Sequence, residues 1–262
     1  MTVFFRYLSR SRFFYLLAAF LLFIGLSVCL TYLFGGRQPV VSALDVGFSF
    51  LRLALPLLIV FGVQDLLYKE FDRKFYALSL SYPVSRARWL ISRFVALLLV
   101  CLLSLVLAAV LLALLVWGLG SLSGAKFVGL QWSYLVVIGF IGVDAFLLLC
   151  VAFLLAVVAS TQSFILLGTL GFMLIARSYS VILALLASGS GLVLQQEAYR
   201  GVLEWLYYVV PDLSVLDVRM IALYGRMEFM PGDWVSSIFG VLIYALGVLA
   251  LAVWVFQRKR LA

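Results

Sequence analysis

Residues 69–94 read KEFDRKFYALSLSYPVSRARWLISRF. Eight of them are charged: Lys69, Glu70, Asp72, Arg73, Lys74, Arg86, Arg88 and Arg93. Predominantly apolar runs of more than twenty residues flank this stretch on both sides. Each run is long enough to cross the roughly 30 Å hydrocarbon core of a bilayer as a helix. The rest of the chain repeats the pattern. It has 262 residues, 66% hydrophobic and 11% charged, with a mean hydropathy of +1.23. A soluble domain of that length cannot hide so much apolar surface, so lipid must be its main solvent.

Counting outward from the charged stretch gives six segments of the required length: Phe13–Phe34, Val46–Tyr68, Arg93–Trp117, Trp132–Ser160, Ser163–Ala187 and Trp234–Phe256. The expected fold is therefore an all-α, polytopic membrane domain covering residues 1–262. The run from Phe13 is too long for a signal peptide's apolar core and lacks a small-x-small cleavage site, so it reads as a retained helix. Lysines and arginines fix the orientation. The N-terminus, the 69–94 stretch and the C-terminus hold twelve, and the opposite loops hold five. By the positive-inside rule both termini and residues 69–94 are cytoplasmic, which requires an even number of spans. The same bias accounts for the net charge of +8 without invoking nucleic acid.

Within the charged stretch, Leu67, Phe71, Phe75, Leu78 and Tyr82 fall on one helical face. Glu70 and Lys74 form an i, i+4 pair in the favourable order. Pro83 ends this helix, and Ser85 opens another as N-cap, with Val84 placed to staple onto Trp89. Arg86 and Arg88 then occupy a first turn where the helix dipole disfavours cations. Lipid phosphates or an acidic groove on a cytoplasmic partner would both explain them.

Glu70, Phe75, Leu78 and the run Pro83-Val84-Ser85-Arg86, with Arg93 seven residues on, resemble the cytoplasmic signature of ABC-2 type transporter permeases. Arg73-Lys74-Phe75 stands where that family usually has a small residue and a threonine. The basic segment before the first span and Tyr207-Tyr208-Val209-Val210-Pro211-Asp212-Leu213 in the long outer loop are also similar to family members. The resemblance implies an elbow and coupling helix that dock on an ATPase, with Glu70, Arg73, Lys74, Ser81, Tyr82, Pro83, Val84, Ser85, Arg86 and Arg88 at the contact. It implies two permease chains and two ABC ATPase subunits in a bacterial inner membrane, and ATP and magnesium on the ATPase alone. The chain has no GxxxxGK[ST] loop and no nucleotide-binding domain, so it would bind no cofactor itself. ATP-driven closure of the ATPase pair would move the elbow and switch the spans between two packings.

Four charges fall inside the spans and need partners: Asp144 mid-span, Arg177, Arg52 and Asp65. Asp144 is expected to pair with Arg177 or Arg52, or to serve substrate passage. Gly139, Gly142, Gly168 and Gly171 would permit close helix approach. In the outer loop, Gln195–Val210 reads as a helix, Ser214 with Asp217 as a capping box, and Gly225 as a helix stop. With no histidine and three scattered cysteines, an intramembrane enzyme or a metal centre is disfavoured. An ion-coupled transporter or channel, or a membrane anchor that docks an ATPase without moving solute, are the alternative classes.

Overall fold

A computed structural model describes residues 12–36, 38–68, 85–123, 131–159, 161–187 and 210–258. Among these residues there are helices, turns and no strand. Helix α1 spans Arg12–Phe34, and α2 runs Pro39–Val63 and continues through a π-helical turn, Gln64–Tyr68. Helix α3 is Arg86–Ser123, α4 is Trp132–Val158 and α5 is Gln162–Ala187. A 3₁₀ turn, Ser214–Leu216, precedes the short α6, Arg219–Tyr224. A second 3₁₀ turn, Met227–Phe229, leads into α7, Trp234–Arg258.

Among the described residues, five helices are long and apolar enough to cross a membrane: α1, α2 with its π turn, α3, α4 and α7. In α5 the apolar stretch with described side chains is Gln162–Ser178. The chain is thus a helical, multi-pass membrane protein. Its helices exceed the expected spans mainly at polar ends, because a helix does not stop where the hydrocarbon does. Helix α2 starts seven residues before the expected Val46, with Pro39 in its first turn. Proline costs nothing there, since the first N–H groups have no helical acceptor. Helix α3 starts at Arg86 rather than Arg93 and reaches Ser123 rather than Trp117.

The helices alternate in direction. One end of the bundle, the loop end, carries Gly35, Trp132, residues 210–233 and Trp234. The opposite, basic end carries Arg12, Tyr68, Ser85 and Arg258. Helix α4 is the hub and packs on α2, α3, α5 and α7. Two thirds of its most apolar window is buried, against 28% for α1 and 17% for α7, so α1 and α7 form the periphery. At the loop end Tyr134 fixes α4 to α3 by donating to the Ala109 carbonyl at 2.6 Å. Nearer the basic end Phe94 and Phe153 meet edge to face at 5.2 Å.

Small residues decide the closest approaches, but not all the expected ones. A Cβ on Gly168 would lie 2.8 Å from Leu155 Cδ1, and one on Gly142 would lie 3.3 Å from Leu105 Cδ2. Gly139 and Gly171 face open space. Among the described glycines within the spans the closest approach is at Gly47, where a Cβ would overlap the buried Leu112 side chain.

Candidate functional site

The polar interior of the bundle is built on one face of α2. Asp45, Ser49 and Arg52 are spaced by four and three residues, so they stack along the same side of the helix. Pro56 lies four residues beyond Arg52 inside α2. It has no N–H to give to the Arg52 carbonyl, which would otherwise accept the i→i−4 bond. Arg177 of α5 supplies the missing donor, with Nη1 giving a hydrogen bond to the Arg52 carbonyl at 3.1 Å. The proline break in one helix is thus filled by a guanidinium from another.

The other arm of the Arg177 fork carries the charge interaction. Its Nη2 donates to Asp144 Oδ2 at 2.5 Å. Asp144 is at the centre of α4 and only 2% exposed. Arg52 Nε stands 3.8 Å from the same carboxylate oxygen. Arg52 Nη1 reaches Asp217 Oδ2 at 2.7 Å. Asp217 Oδ1 takes Arg219 Nε at 3.3 Å, and Arg219 Nη1 takes Asp45 Oδ1 at 3.2 Å and also contacts Ser49 Oγ. The result is one alternating ladder: Asp45, Arg219, Asp217, Arg52, Asp144, Arg177. Its six formal charges cancel. Side-chain exposure falls from 45% at Asp45 through 31% at Asp217 to 2% at Asp144, so the ladder descends from the loop end into the bundle.

The loop segment is tied down by backbone as well. The Leu213 N–H donates to the Ala176 carbonyl at 3.0 Å, and Arg52 Nη2 donates to the Leu213 carbonyl at 3.4 Å. Leu213, Leu216, Val218 and Ile221 are buried against the spans. Asp217 forms no capping box with Ser214. Asp212 does the local work instead, its Oδ1 accepting the Ser214 N–H at 2.9 Å and hydroxyl at 2.6 Å. The physical reason is competition: a buried guanidinium holds a carboxylate more strongly than a neutral N–H does. Gly225 ends α6 in the left-handed conformation at φ 63°.

Of the intramembrane charges singled out from sequence, the structure brings Asp144, Arg177 and Arg52 together. It leaves Asp65 apart, in the π turn thirteen residues beyond Arg52, about 20 Å along the helix. Arg52 lies near the middle of α2. Asp45, Ser49, Asp217, Arg219 and Pro56 belong to the site and were not among the sequence candidates.

The docking residues expected from sequence divide differently. Ser85 precedes α3, and its Oγ accepts the Arg88 N–H at 3.4 Å. Arg86 and Arg88 are exposed in the first turn. Glu70, Arg73, Lys74, Ser81, Tyr82, Pro83 and Val84 lie outside the described residues, as does the expected helix Gln195–Val210 apart from its last residue.

Chemically the ladder is a fastener. Each carboxylate in it faces an arginine, and among the described residues no three His, Cys, Asp or Glu side chains are grouped to hold a metal. Among the described residues Asp144 Oδ1, Arg52 Nε and Arg177 Nε find no hydrogen-bond partner, so within them the buried end is incompletely satisfied. No protein-family model matches the sequence, and no curated protein matches it.

Proposed function

We propose that this chain is the membrane-spanning permease subunit of an ATP-driven transporter of the ABC-2 type, working with an ATPase carried on separate polypeptides. The observation that carries the reading is the start of α3. A Ser85-capped helix of 38 residues opens with two exposed arginines at the basic end. At 1.5 Å per residue it is about 57 Å long, nearly twice the hydrocarbon core. Such a rod transmits displacement at its cationic tip to the interior of the bundle, where α3 packs on α2 and α4. Arg88, exposed in that first turn, weakens the helix on its own account, and a partner surface or phosphates would favour it. The resemblance around Pro83-Val84-Ser85-Arg86 assigns that partner as an ATPase.

In this reading all six apolar helices cross a bacterial inner membrane, with both termini and the 69–94 stretch on the cytoplasmic side, as the distribution of lysine and arginine favours. Two such chains pair with two ATPase subunits. The charge ladder fastens residues 210–224 over the far end of the bundle, and Asp144, Arg52 and Arg177 hold α2, α4 and α5 as one unit.

The test is purification of the tagged chain from native membranes with whatever it binds. A stoichiometric companion with ATPase activity supports the proposal. Arg86→Glu or Glu70→Lys should then lower the coupled ATPase rate while membrane insertion stays unchanged. A chain that purifies without any ATPase, or full coupling in both variants, would overturn it.

A further inference from the structure

The basic end carries a second feature, between the start of α3 and the end of α7. The two helices run antiparallel, and Trp89 stacks on Phe256 with ring centres 5.7 Å apart. Beside it, a groove of about 460 Å³ runs along α7, with Ile91, Leu246, Ala250, Val253 and Trp254 on its walls. From Leu246 to Gln257 the helix rises about 16 Å, half the hydrocarbon core and hence the depth of one leaflet.

Two cations lie towards the basic end of these helices. The Arg258 guanidinium lies 4.2 Å above the Trp254 ring, which is itself a wall of the groove. Arg88 is exposed three residues before Ile91, so both share a face of α3. Helical side chains lean towards the N-terminus, which directs Arg88 towards the basic end, where α7 also ends. Among the described residues no carboxylate lines the groove. An apolar trough one leaflet deep, open to lipid and rimmed by two arginines, has the charge and shape of a phospholipid with a net negative headgroup.

From this complementarity we infer that the groove between α3 and α7 is a binding site for an anionic phospholipid, with one acyl chain along Ile91, Ala250 and Val253 and the phosphate between Arg88 and Arg258. The inference rests on the groove and its rim, not on the transporter reading. It gives Arg88 a ligand that is present whether or not an ATPase is docked.

Brominated lipids test it, because bromine quenches a tryptophan within contact range and Trp254 lines the site. The full chain is reconstituted in phosphatidylcholine vesicles containing brominated phosphatidylglycerol, or an equal fraction of brominated phosphatidylcholine. Phosphatidylglycerol should be preferred at the Trp254 site, by about fivefold for each arginine at the rim. Trp254→Phe should remove the selectively quenched component. Arg88→Gln with Arg258→Gln should bring the preference close to one. Ala250→Trp combined with Trp254→Phe fills the trough but keeps both cations. In that background phosphatidylglycerol captured per chain, counted by native mass spectrometry, should fall by at least half relative to Trp254→Phe alone. Equal quenching by both lipids would overturn the proposal. So would retention of the captured lipid after the groove is filled, which would mean surface attraction without a site. Protection of Trp254 from both lipids would also overturn it, by showing the face covered by a second copy of the chain.

Discussion

Replacing Asp144 with asparagine removes the charge that the buried end of the ladder is built around, and the structure sets the size of the effect. Arg177 has two contacts, Asp144 at 2.5 Å and the Arg52 carbonyl at 3.1 Å. In Asp144→Asn it keeps the carbonyl and a neutral amide oxygen, and loses its charged partner. Arg52 is less affected, since its closer partner is Asp217 at 2.7 Å and its distance to Asp144 is 3.8 Å. One buried cation is therefore orphaned, not two. Removing one partner of a buried pair costs about 3–5 kcal/mol. In a membrane-like medium the unfolded chain also finds partners, which moves the expectation to the lower end, about 3 kcal/mol. By contrast Asp45 is 45% exposed and its arginine 36%, so Asp45→Asn should cost at most about 1 kcal/mol.

The assay is equilibrium unfolding in mixed micelles with rising dodecyl sulfate, followed by fluorescence of the six tryptophans. Asp144→Asn should lower the unfolding free energy most, Asp217→Asn by an intermediate amount, and Asp45→Asn least. Adding Arg177→Met to Asp144→Asn should recover about 1–3 kcal/mol, because the second change removes the orphaned cation. Two results would refute the reasoning. One is an equal cost at Asp144 and Asp45. The other is a double variant whose cost equals the sum of the singles within about 0.5 kcal/mol, the mark of side chains that do not interact.

Arg177→Lys retains the charge but cannot span the carboxylate and the Arg52 carbonyl with one planar fork. It should lose about 1.5–3 kcal/mol in the same titration, the worth of a hydrogen bond to a charged group. Gly47→Val should destabilise by about 1–3 kcal/mol through overpacking against Leu112, while Gly139→Ala, which meets open space, should be neutral or slightly stabilising. Gly225→Ala forces a Cβ into a left-handed position and should cost about 1 kcal/mol, visible as faster proteolysis of residues 210–233 before any loss of the spans.

Hydropathy and charge made the helical membrane class legible, because spans are set by length and composition alone. The ladder was only half legible, for a reason that lies in the residues themselves. Asp144, Arg52 and Arg177 stand out because a charge deep in an apolar run is costly wherever the helix points. Asp45 fell before the expected start of the second span, and Asp217 and Arg219 fell in a loop, where charges need no explanation. Only folding residues 210–224 back onto the bundle turns those three into partners of the buried ones, and hydropathy carries no information about which loop folds back.

A local signal for the site nevertheless exists in α2. Asp45, Ser49, Arg52 and Pro56 recur at intervals of four, three and four, which is one helical face bearing an acid, a hydroxyl, a cation and a missing N–H. In an apolar environment the carbonyl four residues before a proline must find a donor elsewhere, since lipid offers none. Here that carbonyl belongs to Arg52, and a lone cation cannot sit beside it unless an acid follows. The pair Arg177 and Asp144 meets both needs at once, one arm of the guanidinium on the carbonyl and the other on the carboxylate. Pro56 is therefore as much a part of the site as the charges, and Pro56→Ala provides the check. Restoring the N–H of residue 56 lets the Arg52 carbonyl bond within its own helix, so Arg177 loses its exclusive hold on that oxygen. The cost of Arg177→Met should then be smaller in the Pro56→Ala background than in the native chain, a coupling between positions 56 and 177 that a double-mutant cycle measures, while the coupling between 177 and 144 persists.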